Sequence, residues 1–144
     1  QLVGRVQYAW ERGNWTEWFL YFPDNSSPKG GWLAEAQGFY AVSFEEQPKT
    51  PLPAREELSP GQLIELQGAP FVVADIKTSK VAYSQGELPF AAVMGAERVS
   101  VDLSGDNDWF ACIEYHQTES LLFLGRYATF SELQFQNYKE LDGW

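Results

Sequence analysis

The feature that most constrains the fold is a two-residue alternation of side-chain types that recurs along the chain. Six segments show it: QLVGRVQY, WTEWFLYF, FVVADI, RVSVDL, WFACIEY and LLFLGRY. This period is typical of β-strands, whose successive side chains point to opposite faces. Gly, Asn, Asp and Pro lie between the segments, where chain reversals need a positive or preset φ. We therefore expect most consecutive strands to pair antiparallel, and no segment shows the periodicity of a long helix.

Prolines mark one linker, within residues 45–61. Four of them interrupt strand pairing there: Pro48, Pro51, Pro53 and Pro60. We divide the chain into a first β unit at 1–47, a Pro-rich crossover at 48–61 and a second β unit at 62–144. The first unit lacks an opening strand, which we expect upstream of Gln1.

The two units resemble each other. NWTEWFLYF and DWFACIEYH each place a tryptophan after a polar turn residue, Trp15 in the first and Trp109 in the second. This similarity indicates an internal duplication in which neither half alone can bury its apolar face. The expected fold is all-β, with roughly ten to twelve antiparallel strands in two similar curved sheets or small open barrels. Few or no helices are expected, and the two units should pack as one domain.

The charge balance argues against several partners. Twenty acidic and ten basic residues give a net charge of -10, and the basic residues are scattered. Such a chain repels a phosphate backbone, so no nucleic acid is expected to bind. The single cysteine, Cys112, implies no disulfide, and no apolar run approaches the ~20 residues of a membrane span. We expect a cytoplasmic protein without direct membrane insertion and, because no phosphate-binding loop is present, without a cofactor.

The segment GNWTEWFLYF contains the most informative candidate site. In an extended strand, Glu17 shares one face with Trp15 while Trp18 points the other way. One interpretation is a ligand cleft lined by Trp15, Glu17, Trp18 and Trp32, in which the carboxylate anchors a carbohydrate or polyamine. The other is structural: Glu17 pairs with Arg5 or Arg12 of a neighbouring strand, shielded by the tryptophans.

Other candidate catalytic or metal sites are excluded by the distance between their residues or by too few ligands. Cys112 and His116 share a strand face but lie roughly 13 Å apart, too far for a thiol and its base. A structural zinc site needs four Cys or His ligands, and the chain has one of each. Glu35 as a glycosidase partner of Glu17, and calcium binding by DLSGDND, both lack a supporting pattern. We therefore predict no catalytic residue and no metal site.

Several motifs in succession resemble the bacterial family known as domain of unknown function 4178. They are WTEW at Trp15 to Trp18, GWL at Gly31 to Leu33 and GELP at Gly86 to Pro89. The resemblance implies a bacterial, mostly cytoplasmic protein, often encoded near small membrane proteins, aminopropyltransferase-like enzymes or membrane-stress proteins. It supplies no catalytic residue.

The function expected from these observations is a non-enzymatic protein-interaction module in an envelope- or stress-linked system. Its protein partner and its oligomeric state are left open. The alternative is a small-ligand-binding domain with its cleft near Trp15 and Glu17, and an enzyme ranks third.

Overall fold

The computed structural model describes residues 1–23, 30–36 and 38–136. In this part of the chain the only helical element is a 3-10 turn at Arg55–Glu57, and the other regular elements are nine strands. The strands are β1 (Leu2–Trp10), β2 (Gly13–Tyr21), β3 (Gly30–Ala36), β4 (Phe39–Glu46), β5 (Leu63–Leu66), β6 (Ala69–Gly86), β7 (Glu97–Ser104), β8 (Trp109–Tyr115) and β9 (Ser120–Ala128).

Eight of the strands form a closed antiparallel barrel. The order around the ring is β1, β2, β3, β4, β9, β8, β7 and β6, and β1 closes the ring by pairing with the end of β6. Closure removes the free edges that an open sheet would expose. β5 stands outside the ring as a ninth strand on the beginning of β6.

The 18-residue strand β6 changes partners along its length. Ala69 to Val72 pair with β5, while Lys80 to Gly86 pair with β1. Between these two stretches, residues 75–79 pair with β7 on one edge, after a bulge at Ala74. Within the described residues, no strand pairs with the other edge of 74–79. We call this unpaired edge of β6 the wall gap, because the barrel wall is interrupted there.

The largest apolar core lies outside the barrel. Residues of β7 alternate between a lumen-facing set that includes Arg98 and an outward set that includes Val101 and Leu103, both almost fully buried. The outward cluster packs beneath the crossover and β5, and its members are Leu58, Leu66, Phe71, Val73, Val101, Leu103, Ala111, Ile113 and Leu122. The Tyr115 hydroxyl donates a hydrogen bond of 2.8 Å to the Pro53 carbonyl and so fastens the crossover to this core.

A second cluster fills one end of the lumen. Val6, Tyr8 and Val81 are buried there, and Leu88 and Ala92 of the loop between β6 and β7 pack against them. We call this the closed end of the barrel. The β1–β2 turn and the 105–108 turn lie at the opposite end, which we call the open end.

The all-β class with few helices is confirmed, but the two similar units predicted from the sequence are not shown. Strands on both sides of the crossover form a single ring, with β4 paired to β9 and β1 to β6. Trp15 contacts lumen residues, whereas Trp109 faces outward and is 45% exposed. The two tryptophans therefore do not occupy matching places, because their strands present them to opposite faces of the barrel.

Candidate binding site in the barrel lumen

An ion-pair network crosses the lumen at its centre. Arg98 of β7 is 8% exposed, and its Nη2 lies 2.9 Å from Oε1 of Glu17 on β2, three strands away around the ring. Its Nη1 forms an ion pair with Glu114 of the adjacent strand β8. The guanidinium also stacks on Tyr8, with 3.6 Å between Cζ and the ring centroid. One cation thus joins β7, β8, β2 and β1.

The two carboxylates of this network differ in proton affinity. Burial raises the pKa of Glu17, although Arg98 and a 2.8 Å hydrogen bond from the Trp15 indole oppose the rise. Burial also acts to raise the pKa of Glu114, but Arg98 and His116 outweigh it and hold that pKa below its usual value. The His116 Nε2 lies 3.1 Å from Glu114 Oε2. Glu114 is therefore the carboxylate that the fold keeps ionised.

A second group of charges lies nearer the open end. The Lys77 ammonium is 2.6 Å from Asp102 Oδ2 and 3.7 Å from Asp75 Oδ2. It also lies over two indoles, 5.6 Å from the ring centroid of Trp10 and 5.3 Å from that of Trp15. Burial lowers the pKa of Lys77, but Asp102 and Asp75 more than offset it, so the ammonium stays charged. We call these five residues the open-end group.

Solvent reaches the open-end group. The side chains of Asp75 and Asp102 are 51% and 37% exposed, in contrast to the fully buried Val6 at the closed end. Tyr127 packs against Phe110 with 5.2 Å between the tilted rings' centroids and is half exposed. Burial and Asp102 raise its pKa, which places this phenol beside the same charges. The open end therefore combines aromatic rings with convergent charges, as ligand sites in barrel mouths do.

The structure separates the four candidate ligand residues. Trp15, Glu17 and Trp32 face the lumen, and Trp32 packs against the buried cluster at the closed end. Trp18 lies on the outer face, where the Arg5 guanidinium is 5.7 Å from its ring. The pockets of about 460 and 270 Å³ on the described part of the chain are lined by other residues, and the role of these four as a ligand site stays a prediction.

The expected partner of Glu17 was wrong. Arg5 pairs opposite Trp18 in the β1–β2 register and therefore faces away from Glu17, while the exposed Arg12 lies over Trp10. The actual partner, Arg98, is 81 residues away in sequence. The only sequence signal for it was that RVSVDL carries polar residues on one face and aliphatic residues on the other, which does not reveal which face is inside.

The other candidate chemistries find no support. Glu35 faces outward and accepts a hydrogen bond from the Gly38 amide, so it does not oppose Glu17. No group of three or more His, Cys, Asp or Glu residues in the described ranges is arranged to hold a metal ion. Burial raises the pKa of the Cys112 thiol, which keeps it protonated and a weak nucleophile. The described residues contain no helix long and apolar enough to span a membrane.

Comparison with known proteins identifies a family. The model of the family described as "Domain of unknown function (DUF4178)" matches residues 1–130, which confirms the resemblance carried by the WTEW, GWL and GELP motifs. No curated protein and no solved structure matches the chain.

Proposed function

The chain belongs to the DUF4178 family, whose description names no activity, and we propose from its geometry that it is a non-enzymatic binding domain. Its site is the open-end group, and its ligand is a small organic molecule that carries an ammonium group. This proposal selects the polyamine from the two ligand classes expected from the sequence, carbohydrate and polyamine.

The observation that carries the proposal is the environment of the Lys77 ammonium. A carboxylate at 2.6 Å and two indole rings surround it, at a position that solvent can reach. Carboxylates and indole faces are the groups that recognise organic cations. Asp75 and Asp102 together carry one negative charge more than Lys77 neutralises, so a further ammonium is attracted to this end of the barrel.

The same geometry argues against catalysis in the lumen. The central groups are committed to one another, since Arg98 serves both Glu17 and Glu114. A general acid or base has to face a substrate at hydrogen-bond distance, whereas these three side chains are at most 16% exposed.

The test is a titration with 1,4-diaminobutane followed by the indole N–H resonances in NMR spectra. We expect saturable shifts at Trp10 and Trp15, with Trp18 on the outer face as an internal control. Asp102→Asn should weaken binding about tenfold, which corresponds to ~1.4 kcal/mol. Glu35→Gln, which removes an outward carboxylate, should leave it unchanged. Shifts with a neutral hexose and none with the diamine would contradict the ligand class, and no shift with either would contradict the site.

A protein-interaction module is the second candidate, and the loop at the closed end favours it. Val93 and Met94 are 62% and 64% exposed, yet the turn that carries them is ordered by hydrogen bonds from Ala96 N to Val93 O and from Gly95 N to Val81 O. Apolar side chains on an ordered turn are suited to enter a partner's pocket. With a net charge of -10, the chain would favour a partner with a basic rim, in an envelope- or stress-linked system.

Photo-crosslinking in cells tests this second candidate. A photoreactive residue at position 93 should give a discrete adduct that Met94→Ser abolishes. Phe39→Ser, which alters a 75% exposed side chain at the open end, should preserve the adduct. An adduct unaffected by Met94→Ser would remove the turn from consideration.

A further inference from the structure

The wall gap is an edge of β6 that has no strand partner within the described residues, in a barrel that otherwise closes. Val73 is the last β6 residue bonded towards β5, through its amide to the Gln62 carbonyl and its carbonyl to the Gly61 amide. On the far side of the gap, Lys80 is the first residue paired with β1, opposite Ala9. The six residues between them span about 20 Å, at ~3.3 Å per residue. That length matches an ordinary β-strand.

Alternation along β6 identifies the backbone groups that face the gap. Val81 exchanges hydrogen bonds with Ala96 and Gly95, on the side that leads into β7. In an antiparallel ladder the residues at even separation from Val81 bond to that same side, down to the bulge between Val73 and Asp75. The amides and carbonyls of Ile76 and Thr78 therefore point into the gap.

These backbone groups lack a strand partner in the described residues. The Ile76 amide donates a hydrogen bond of 2.9 Å to Asp75 Oδ1. This local bond replaces the inter-strand hydrogen bond that a neighbouring strand would accept. No side chain of the described residues bonds to the backbone of Thr78 in this way. Thr78 borders a surface pocket of about 270 Å³ that is lined by Ala9, Trp10, Glu11, Thr78 and Lys80. An unpaired edge beside a pocket for side chains is the arrangement that strand addition uses.

We propose that the wall gap binds an extended segment of a partner protein, which adds a strand to β6 between β5 and β1. The charges at the gap determine the chemistry of that segment. Lys80 is paired with Glu97 at 3.0 Å and Lys77 with Asp102, whereas Glu11 has no ion pair in the described residues and Asp75 is only partly neutralised. The segment therefore carries basic residues, and these face Asp75 and Glu11.

This site adjoins the proposed ligand site, because Asp75 takes part in both, but it differs in being attached through the backbone of β6. A second copy of this chain is a poorer occupant than a basic partner, since two chains of charge -10 repel each other. In strand addition the main-chain hydrogen bonds supply the affinity, and side-chain pockets such as the one beside Thr78 supply specificity.

The experiment uses the full chain and the hexapeptide Lys-Val-Lys-Val-Lys-Val, with a backbone N-methylated form as its control. Both peptides carry the same charges, but only the first can pair with β6. We expect saturable binding of the first peptide, at least tenfold weaker binding of the second, and slowed hydrogen exchange of the Thr78 amide in the complex. Equal binding of the two peptides, no binding, or an unprotected Thr78 amide would overturn the proposal.

Substitutions in the protein also test whether the backbone of β6 pairs with the peptide. Thr78→Pro removes an amide that faces the gap and leaves the pairing with β7 intact, as proline at a sheet edge does. It should weaken the hexapeptide at least tenfold, while Thr78→Val should not. Neither variant should change the diamine titration, so loss of one binding activity does not imply loss of the other. If Thr78→Pro instead converts an oligomer into a monomer, the occupant is a second copy and the partner proposal is wrong. If it fails to fold, the N-methylated peptide still decides.

Discussion

Replacing Arg98 by methionine is the most severe test of the lumen network. Arg98→Met keeps most of the side-chain volume but removes the guanidinium that bridges Glu17 and Glu114, whose side chains are 16% and 10% exposed. Loss of one partner from a buried ion pair costs about 3 to 5 kcal/mol. The substitution removes both ion pairs and the stacking on Tyr8 at once, and the energies of such coupled interactions are not additive. We therefore expect a loss of at least ~3 to 5 kcal/mol at pH 7, a large part of the ~5 to 15 kcal/mol typical of a domain.

The pH dependence of the same variant has a definite sign. Without Arg98 the pKa values of Glu17 and Glu114 are both raised in the folded state by burial and by mutual repulsion. A raised pKa stabilises the fold at low pH, and that contribution is lost as pH rises through the folded-state pKa. Arg98→Met should therefore become more stable as pH falls from 7 towards 5. In the parent, the raised pKa of Glu17 also stabilises the fold more at low pH than at high pH. The lowered pKa of Glu114 has the opposite effect: its stabilising contribution is present above the usual pKa of 4.5 and is lost as pH falls below that value.

Urea unfolding followed by tryptophan fluorescence at pH 7 and pH 5 measures both effects. Glu17→Gln and Glu114→Gln added to Arg98→Met remove all three charges of the network, which should recover most of the lost stability. Lys80→Met is the control, because it removes a pair whose two side chains are each 59% exposed and should cost no more than ~1 kcal/mol. The reasoning fails if Arg98→Met unfolds within ~1 kcal/mol of the parent at pH 7, or if the triple variant is as unstable as the single one.

Three further predictions concern other parts of the fold. Gly125→Ala should lower the free energy of unfolding in urea more than Gly95→Ala does. A Cβ at Gly125 would lie 2.2 Å from the Val42 carbonyl oxygen, whereas a Cβ at Gly95 would meet open space and strain only the positive φ. Equal losses of stability would contradict this. Tyr115→Phe should lower the free energy of unfolding by ~1 kcal/mol and speed proteolysis of the crossover, because it removes the hydrogen bond to Pro53. It should also remove from the ultraviolet titration the phenol whose pKa is raised to about 12, and an unchanged titration curve would contradict the assignment. The Cys112 thiol should react slowly with a disulfide reagent until urea opens the barrel, and rapid reaction of the folded protein would show that it is accessible.

Much of the strand content follows from the sequence, because alternation and turn chemistry are local. The opposite orientation of Trp15 and Trp18 was predicted correctly on the same ground. The closure of the ring was not predictable, since the pairing of β1 with β6 joins residues 71 to 82 positions apart, from Ala9 with Lys80 to Gly4 with Gly86, and leaves no local pattern. The apparent repeat around Trp15 and Trp109 misled because two strands of similar composition can present opposite faces to the lumen.

The burial of both faces of β7 explains why sequence could not identify the inside of the barrel. Its aliphatic residues Val101 and Leu103 are buried beneath the crossover, and Arg98 and Ser100 of its polar face are buried in the lumen, although Asp102 reaches solvent at the open end. Burial therefore does not distinguish the two faces. A shift of β7 by one residue would turn Arg98 into the apolar layer and leave Glu17 and Glu114 together without a cation. Since buried ion pairs contribute little net stability over apolar replacements, we infer that this network chiefly fixes the register of β7. The neutral triple variant tests the inference: retained stability with more than one set of backbone NMR resonances is expected, and a single native set would show that the outward core alone fixes the register.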